Sequence, residues 1–569
     1  MTNPATEYRP TPQRTVADAV AHVLADRADH VYGILGNGNA FVVSALTAQG
    51  LPFTAARHEA ATVLMADAHH RSTGRIAAAT TTYGAGYTNT YTALAEARLA
   101  RVPLVLVVGD APTTGMRPFD IDQTAASAAL GVTTLTVTPE NAATMARRAF
   151  DLARQTVQPV VLAIPTDVQS ADLVAGGEGS VPPLPAKPDQ PATPSDVARL
   201  AQLLRAAERP LVLAGRGVVL SGTAADAQRL GDELGALFMT TLTSSNVITS
   251  PWNLGISGGF ARRHRWEIAR EADVVLVLGA SLNAFQMRHG AMFSQHTRII
   301  RVDNEPIPHP ASAPIAQTLR ADLQTLLPQL ADAVTDLPPT GTTWRSRVPE
   351  VDTDSFRAAD AIEDPTEFGP DGRLNPRAVV AELDGILPAE RSVVTDGGHF
   401  IGWGPMYLTV PDPQALVLVG TVFQSIGLGF GSAAGVSVAR PDRTTVFVTG
   451  DGGGLMGLAD LETFVRTTRH GVIVVLNDSA YGAELHQYAS QGLDPTAMLI
   501  PEVDFVALGR AFGATGVRAR CLADLDHLRD WLATGEEGVF VLDVQVSQQV
   551  VAEFMAEAIE LGRARTARD

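Results

Sequence analysis

The sequence predicts an α/β protein with three doubly wound domains, each built on a parallel sheet. Its 569 residues exceed what one hydrophobic core can serve and correspond to about three domains. Short runs rich in Val, Ile and Leu alternate with longer amphipathic segments rich in Ala, Arg and Leu. Such alternation is typical of parallel strands that are buried on both faces and separated by helices. Two proline-rich breaks, at residues 181–194 and 337–376, divide these strands into three sets.

The predicted strands follow the apolar runs in chain order. The first third of the chain contains AAATTT, VPLVLVVGD and PVVLAIP, and the middle third contains RPLVLAG, ADVVLVLGA and TRIIRVD. The last third contains SVVTDGG, TTVFVTGDG, GVIVVLND and GVFVLDVQV. The predicted domains span residues 12–180, 195–335 and 376–550, with a linker at 336–375 and a C-terminal tail at 551–569.

Composition and charge narrow the class of protein. Hydrophobic residues make up 46% of the chain and charged residues 18%, a balance typical of a soluble globular protein. No apolar run reaches the roughly 20 residues that span a bilayer, and the start of the chain lacks the layout of a signal peptide. We therefore expect a cytoplasmic protein with no membrane partner. The net charge of −18 also disfavours nucleic acid as a partner.

Two residue types that often carry chemistry are almost absent. Cys521 is the only cysteine, which excludes intrachain disulfides and cysteine-rich zinc or iron–sulfur sites. Lys187 is the only lysine and lies in a proline-rich stretch. The sequence therefore lacks a Walker A loop, and a catalytic Schiff-base lysine is disfavoured.

The segment TVFVTGDGGGLMGLADLETFVRTTRHGVIVVLND contains two polar residues at predicted strand ends. Asp451 follows one apolar run and Asn477 follows the next, with a helix predicted at about residues 458–469 between them. A β-α-β crossover can place both residues at one sheet edge, where ligands bind in α/β proteins. A carboxylate, an amide oxygen and loop carbonyls form an oxygen shell suited to Mg²⁺, which usually also takes substrate phosphates.

The glycines that follow Asp451 support the same interpretation. Gly452, Gly453 and Gly454 allow the backbone to approach phosphate oxygens at the start of the next helix. The residues therefore predict a site for Mg²⁺ and a diphosphate. A glycine-rich turn alone would be weak support, since many α/β proteins contain one for packing reasons.

Taken together, these motifs resemble those of thiamine diphosphate-dependent enzymes. The Gly-Asp-Gly and Asn pair resembles their diphosphate motif. RHEAATVLMADAHHRSTGR and TTTYGAGYTNTYTALAEARLARVPLVLVVGD resemble the pyrimidine-binding (PYR) domain of acetolactate synthase and its relatives. The resemblance covers nearly the whole chain in the order PYR domain, central Rossmann-like domain and diphosphate-binding (PP) domain. It implies thiamine diphosphate and Mg²⁺ as cofactors.

The resemblance implies a carbon–carbon lyase or carboligase of the acetolactate synthase type. Such an enzyme decarboxylates a 2-oxo acid and transfers the acyl carbanion to a second carbonyl. One alternative is a simple 2-oxo acid decarboxylase that releases an aldehyde. A 2-hydroxyacyl-CoA lyase is less favoured, because the basic tail ELGRARTARD is short for a cover over CoA.

The resemblance assigns the cofactor contacts residue by residue. Glu59 matches the glutamate that hydrogen-bonds the aminopyrimidine ring and promotes its imino tautomer. Asp451, Asn477 and the carbonyl of Ser479 match the metal ligands, and Ile426 matches the apolar residue that bends the cofactor. The other expected cofactor-binding residues are Thr82, Asn89, Gln424, Ser425, Gly450, Gly452, Gly453 and Tyr481.

The substrate side departs from the family pattern. Asn37 stands where related decarboxylases carry Asp or Ser, and Phe119 stands where many relatives carry a substrate-contacting Gln. His399 replaces a frequent Gln. Glu484 follows Tyr481 at the offset at which pyruvate decarboxylase carries a proton-donating glutamate. The expected catalytic residues are therefore Glu59, Glu484, His399 and Asn37, although His399 and Glu484 also fit ordinary structural roles.

The resemblance also implies an oligomeric state. In this family the PYR domain of one subunit faces the PP domain of another, which implies a homodimer or homotetramer with active sites at the subunit interface.

A dehydrogenase is disfavoured because Gly215 and Gly217 do not form a complete dinucleotide motif. A non-catalytic scaffold is disfavoured because Glu59, Asp451 and Asn477 are all retained. FAD, which the central domain binds in some relatives, is possible but not indicated by the loops ISGGFARRH and GASLNAF.

Overall fold

The computed structural model describes residues 14–174, 184, 192–305, 313–339, 341–353, 355–356 and 366–566. The predicted proline-rich break at 181–194 lies mostly outside the described residues, and so does Lys187. The predicted domain start at residue 12 and the last residues of the predicted tail also lie outside them. In the part of the chain that the structure describes, no helix is long and apolar enough to cross a membrane.

Three six-stranded sheets organise the described chain, and each is doubly wound with parallel strands, as predicted. The first sheet has the order β2-β1-β3-β4-β6-β5. Its strands are β1 (Val31–Gly33), β2 (Phe53–Ala55), β3 (Ala78–Thr81), β4 (Val105–Asp110), β5 (Thr133–Thr136) and β6 (Val160–Pro165). Its helices are α1 (Val16–Arg27), α2 (Ala40–Ala48), α3 (Glu59–Thr73), α4 (Ala85–Thr88), α5 (Tyr91–Leu99), α6 (Gln123–Ala129) and α7 (Ala142–Thr156).

The second sheet has the order β12-β11-β10-β7-β8-β9. Its strands are β7 (Pro210–Ala214), β8 (Leu237–Thr240), β9 (Asn253–Ile256), β10 (Val274–Leu278), β11 (Arg298–Asp303) and β12 (Gln317–Arg320). Its helices are α8 (Pro194–Arg205), α9 (Arg216–Ser221), α10 (Ala224–Leu234), α11 (Arg263–Ala269) and α12 (Leu323–Thr335). The central strands β7 and β10 are buried along their full length, as a parallel sheet covered on both faces requires.

The third sheet has the order β14-β13-β15-β16-β18-β17. Its strands are β13 (Arg391–Thr395), β14 (Leu416–Leu418), β15 (Thr444–Gly450), β16 (His470–Asn477), β17 (Thr515–Ala519) and β18 (Gly538–Gln545). The remaining helices are α13 (Pro376–Ile386), α14 (Trp403–Tyr407), α15 (Gly429–Ala439), α16 (Asp451–Met456), α17 (Leu461–Thr467), α18 (Gly482–Tyr488), α19 (Phe505–Ala511), α20 (Asp526–Thr534) and α21 (Glu553–Thr566).

The chain divides into two compact units. One unit contains the first and third sheets, and the other contains the second sheet together with α13, α14 and α21. Within the first unit, helix α3 of the first sheet packs closely against α15 of the third. A Cβ atom on Gly435 would lie 2.5 Å from the backbone oxygen of Met65, so this crossing requires glycine. A continuous buried core therefore joins the first and third sheets.

Candidate active site

The third sheet brings Asp451 and Asn477 to one edge. Strands β15 and β16 are neighbours, and Gly450 pairs with Leu476 in the parallel register. Asp451 comes directly after β15, and Asn477 is the last residue of β16. The two side chains therefore stand at the carboxyl ends of adjacent strands, the edge at which α/β sheets bind ligands.

The predicted helix at 458–469 is wrong in its bounds. A helix already begins at Asp451, a short 3₁₀ turn covers Leu458–Asp460, and a second helix, α17, ends at Thr467. The glycines that suggested a loop lie inside the first of these helices. A Cβ on Gly452 would lie 2.8 Å from the ring of Tyr481, and one on Gly453 would lie 2.8 Å from Asp396 Oδ2. Close packing against Tyr481 and Asp396 therefore requires glycine at these two positions.

Each of the two predicted side-chain ligands of the metal has a buried oxygen to which no N–H group donates. Asp451 is 1% exposed and Asn477 is fully buried, yet Asp451 Oδ1 and Asn477 Oδ1 accept no hydrogen bond. The nitrogen of the Asn477 side chain donates to Asp543 Oδ1 at 2.9 Å and to the Val503 carbonyl at 3.2 Å. Buried acceptors without a partner are costly, and a cation can satisfy both of them.

Asp478, directly after Asn477, adds a second carboxyl group that was not among the predicted site residues. Its Oδ1 accepts the backbone N–H of Ala480 at 3.2 Å, and no N–H group donates to its buried Oδ2. The carboxyl groups of Asp478 and Asp451 lie close enough to hydrogen-bond each other when one of them is protonated. Burial raises the pKa of Asp478, and the nearby charge of Asp451 raises it further. Burial also raises the pKa of Asp451. The only signal in the sequence was an acid directly after the strand-terminal amide, which does not by itself show that the two acids meet.

Ser479 adopts a left-handed backbone conformation, with φ of +59°. Its carbonyl accepts the N–H of Ile500 at 2.9 Å, which leaves one lone pair for another partner. The residues at this edge thus offer two carboxyl groups, one amide oxygen and one backbone carbonyl. This set of hard oxygen donors fits Mg²⁺.

A cleft opens beside these oxygens. His399, Ile426, Asp451, Tyr481 and Glu484 line it, together with Gly450, Gly452 and Gly453. Glu484 lies in the first turn of α18 and is exposed, whereas His399 is only 3% exposed. The cleft therefore collects most of the residues predicted in the third domain.

His399 has a neighbour that the sequence interpretation did not identify. Its ring stacks edge-to-face with His486 of α18, with 4.6 Å between the ring centroids. Burial lowers the pKa of His486. The spacing of His486 within α18 gave no sign of this contact, because His399 follows a different strand.

Gln424, Ser425 and Ile426 lie in a loop of residues 420–427, between β14 and α15. Gln424 has a φ of +58°, unusual for a residue other than glycine. The N–H of Ser425 donates to the Gly420 carbonyl at 2.9 Å, which closes the loop on itself. Ile426 lies close to the strand end of β13, because a Cβ on Gly397 would lie 2.7 Å from Ile426 Cγ2.

The predicted residues of the first domain form a second group, at the carboxyl edge of the first sheet. Glu59 begins helix α3, and the Asn89 side chain donates to Glu59 Oε2 at 2.9 Å. Thr82 Oγ1 donates to Asn37 Oδ1 at 3.1 Å, and Asn37 Nδ2 donates to the Tyr83 hydroxyl at 3.0 Å. The structure therefore distributes the predicted site residues over two sheets.

Phe119 lies at the same end of the first sheet and is 64% exposed. The guanidinium of Arg117 stacks on both Phe119 and Tyr83, 4.7 Å from each ring centroid. Arg117 also forms an ion pair with Asp120 at 2.9 Å. This aromatic and cationic group was not predicted, because it depends on how a long loop folds back.

The glycines of the second sheet are explained by packing. The N–H of Gly217 donates to the Gly279 carbonyl at 3.0 Å. A Cβ on Gly215 would lie 2.3 Å from the same carbonyl oxygen. The loops after β7 and β10 therefore contact each other directly at the switch point of this sheet. This contact accounts for Gly215 and Gly217 without a dinucleotide.

Three protein-family descriptions match the chain in order. The N-terminal binding domain of thiamine pyrophosphate enzymes matches residues 14–130, their central domain matches 197–330, and their C-terminal binding domain matches 396–544. Thiamine pyrophosphate is another name for thiamine diphosphate. The two binding domains coincide with the two groups of site residues described above.

Full-length relatives show the same family at low identity. The chain is 28% identical over 555 residues to a protein of Pseudomonas aeruginosa named probable 2-ketoarginine decarboxylase, covering 94% of this chain and 95% of that protein. It is 26% identical over 551 residues to the large subunit of Escherichia coli acetolactate synthase isozyme 2, with the same coverage of 94% and 95%. A zebrafish 2-hydroxyacyl-CoA lyase 2 is 26% identical over 513 residues, 82% of this chain and 80% of that protein.

A solved structure has the same fold. The thiamine diphosphate-dependent 4-hydroxybenzoylformate decarboxylase of Rhodococcus jostii superposes with a TM-score of 0.72 at 20% identity, covering 94% of this chain and 99% of that one. The prediction of a thiamine diphosphate-dependent enzyme is confirmed by the family matches and by these relatives. This chain belongs to the family of thiamine pyrophosphate enzymes.

Proposed function

We propose that this protein is a thiamine diphosphate- and Mg²⁺-dependent carbon–carbon lyase or carboligase that acts on a 2-oxo acid. One observation carries the proposal: Asp451 Oδ1 and Asn477 Oδ1 are buried without hydrogen-bond partners beside a helix of glycines. Asp451, Asn477 and the Ser479 carbonyl would hold Mg²⁺. The backbone of Gly452 and Gly453 would approach the diphosphate.

Glu59 is the residue that would act on the cofactor's aminopyrimidine ring. When bound, thiamine diphosphate supplies the carbon nucleophile and the electron sink that decarboxylation of a 2-oxo acid needs. The carboxyl group of Glu59 would hold a proton at the ring nitrogen. Asn89 donates to Glu59 Oε2, so it fixes the direction of that carboxyl group and leaves Oε1 for the ring. Ile426 would support the cofactor from below.

An assembly of at least two subunits is part of the proposal, as the resemblance to the family implies. Leu35, Phe41 and Met116 are exposed in the first domain, by 63%, 52% and 59%. Val422 and Met456 are exposed in the third domain, by 50% and 54%. We take these groups to belong to surfaces that another chain covers, as contiguous exposed apolar patches do. A homodimer or homotetramer would bring Glu59 of one copy to Asp451 of another, in the cytoplasm.

A simple 2-oxo acid decarboxylase is the second candidate. Glu484 favours it, because this carboxyl group lines the cleft and reaches solvent, as a proton donor to a leaving product must. The relative named as a 2-ketoarginine decarboxylase also favours it. A 2-hydroxyacyl-CoA lyase is less favoured, although the zebrafish relative has that name. FAD is not part of either proposal.

A product assay separates these functions. The purified protein is incubated with carbon-labelled pyruvate, Mg²⁺ and thiamine diphosphate, and the products are identified by NMR. A labelled 2-hydroxy-2-methyl-3-oxo acid would establish carboligation, and labelled acetaldehyde alone would establish simple decarboxylation. Unchanged pyruvate would move the search to other 2-oxo acids, starting with 2-ketoarginine and aromatic ones. If none of these acids reacts, the proposal fails.

A further inference from the structure

The loop of residues 420–427 is held from two sides by buried carboxylates. On one side, Asp396 of the third domain accepts the N–H of Gly427 at 3.0 Å. On the other side, Glu96 of helix α5 accepts the N–H of Val422 at 3.1 Å and of Phe423 at 2.7 Å, both through Oε2. Glu96 is fully buried. It belongs to the first domain, so a carboxylate of one domain fixes the backbone of another.

A second set of bonds fixes Glu96 itself. Arg71 of helix α3 donates to Glu96 Oε1 at 3.1 Å and to the Leu418 carbonyl, just before the loop, at 2.8 Å. Arg71 also pairs with Asp67 one turn earlier in α3. The guanidinium thus provides a positive charge beside Glu96 in the buried core, which it shares with Asp67. Without that charge, a buried carboxylate would be strongly unfavourable.

Only a carboxylate meets these demands in full. Glu96 faces three donors, namely two backbone N–H groups and one guanidinium, and presents no donor of its own. A glutamine would turn an N–H₂ group toward at least one of these donors. Hydrogen bonds to an ionised acceptor are also about twice as strong as neutral ones. The site is therefore specific for an acid.

We infer that Glu96 is a positioning residue for the loop that carries Gln424, Ser425 and Ile426. Gln424 has the strained φ of +58° directly after the two amides that Glu96 holds, and strained conformations persist only where the surroundings enforce them. Ile426 lies between the two amides that Glu96 binds and the Gly427 amide that Asp396 binds. The inference rests on the proposed function, because Ile426 is the residue assigned there to support the cofactor.

The test compares Glu96→Gln with Asp303→Asn. Asp303 is partly buried and forms an ion pair with the buried Arg301 at 2.7 Å in the second sheet, so its variant also removes the charge of an ion-paired acid but leaves the loop untouched. Hydrogen exchange is measured at the amides of residues 420–427 without cofactor. Binding of thiamine diphosphate is then titrated calorimetrically with Mg²⁺. We expect faster exchange in the loop and about tenfold weaker binding in Glu96→Gln, from the loss of one charged hydrogen bond, and neither effect in Asp303→Asn.

Unchanged exchange and unchanged affinity in Glu96→Gln would overturn the positioning role. Equal effects in Asp303→Asn would also overturn it, since they would reflect general destabilisation. If Glu96→Gln does not fold, Glu96→Asp keeps the charge beside Arg71 but cannot reach both amides, and the same comparison applies to it. A wild-type protein that binds no thiamine diphosphate would instead overturn the proposed function, and loop exchange that still responds to Glu96→Gln would show that the two failures are separate.

Discussion

The Asn477 side chain donates to Asp543 at 2.9 Å, and this bond leaves the amide oxygen of Asn477 as the atom without a partner. Asp543 is itself fully buried and is held by Arg518 at 3.1 Å. An amide can present either its oxygen or its nitrogen to a cation site, and only the oxygen can bind a cation. Asp543 therefore determines that Asn477 can act as a metal ligand.

We expect Asp543→Asn to weaken Mg²⁺-dependent cofactor binding by about 10- to 100-fold, the usual effect of losing a partner that orients a metal ligand. The substituted amide can turn its own nitrogen toward Asn477 and reverse that side chain. Calorimetric titration with thiamine diphosphate at several Mg²⁺ concentrations measures the effect. Glu502→Gln is the control, because Glu502 also pairs with Arg518 but does not contact Asn477. Equal affinities for Asp543→Asn and wild type would contradict the orienting role.

Asp451→Ala tests the metal site directly. Removing this buried carboxylate takes away a charged oxygen ligand, so the protein should lose more than about 90% of its bound cofactor on dialysis against a chelator followed by Mg²⁺ alone. Cofactor quantitation after dialysis gives the result. Asp442→Ala, which removes an exposed acid just before β15, should retain cofactor like the wild type. Full retention by Asp451→Ala would show that the oxygens at this edge hold no metal.

Glu59→Gln should abolish turnover while the fold stays intact. The glutamine keeps the size of the side chain and the contact with Asn89, but it cannot hold an acidic proton at the cofactor ring. We expect a loss of at least about 100-fold in kcat, with an unfolding temperature close to that of the wild type. Glu140→Gln, an exposed acid of the same domain, serves as the control. Near-wild-type turnover by Glu59→Gln would exclude the assigned role.

Apolar periodicity was sufficient to predict the central strands. Each predicted strand matches an observed one, for example Val105–Asp110 and His470–Asn477, because strands buried on both faces form continuous apolar runs. The edge strands were not predicted, and neither were the interior strands β1 and β8. Val31–Gly33 and Phe53–Ala55 span only three residues each, and Thr133–Thr136 is threonine-rich and partly exposed. Strands of this length and composition leave no distinct pattern.

The site was predictable only where a motif is local. Asp451 and Asn477 sit at the ends of adjacent strands that one crossover connects, so their spacing was informative. Asp543 and Glu96 were not identified, because each reaches its partners from a distant segment: Asp543 is 66 residues from Asn477, and Glu96 is 326 residues from Val422. Spacing along one helix or turn cannot reveal such pairs.

Stability at acid pH should depend on His30. Burial, followed by the charge of His69, lowers the pKa of His30 from 6.5 to about 4, although Asp29 acts in the opposite direction. In the unfolded chain His30 is therefore protonated below pH 6.5, whereas in the folded chain it becomes protonated only near pH 4. The contribution of His30 to the free energy of unfolding is complete above pH 6.5 and falls by up to about 3 kcal/mol as the pH drops to 4.

His30→Gln checks this dependence. The glutamine can still bond to Thr54, which His30 contacts at 2.8 Å, but it does not titrate. Unfolding temperatures measured between pH 7 and about pH 4.5 should therefore fall less steeply in the variant than in the wild type, since other groups titrate alike in both proteins. Parallel pH profiles would show that His30 is not held neutral by the fold.

Glu484→Gln distinguishes the two proposed reactions. If Glu484 donates the proton that converts the acyl carbanion into the aldehyde, replacing it removes the acid and should lower aldehyde release by at least about tenfold. In transfer to a second carbonyl, a new carbon–carbon bond forms at that carbon in place of this protonation. Ligation should therefore fall less than aldehyde release, and NMR of both products in one reaction measures the ratio. Glu502→Gln removes an acid of the same domain that does not line the cleft and should leave the ratio unchanged. Equal losses of both products in Glu484→Gln would mean that Glu484 supports the cleft without donating a proton.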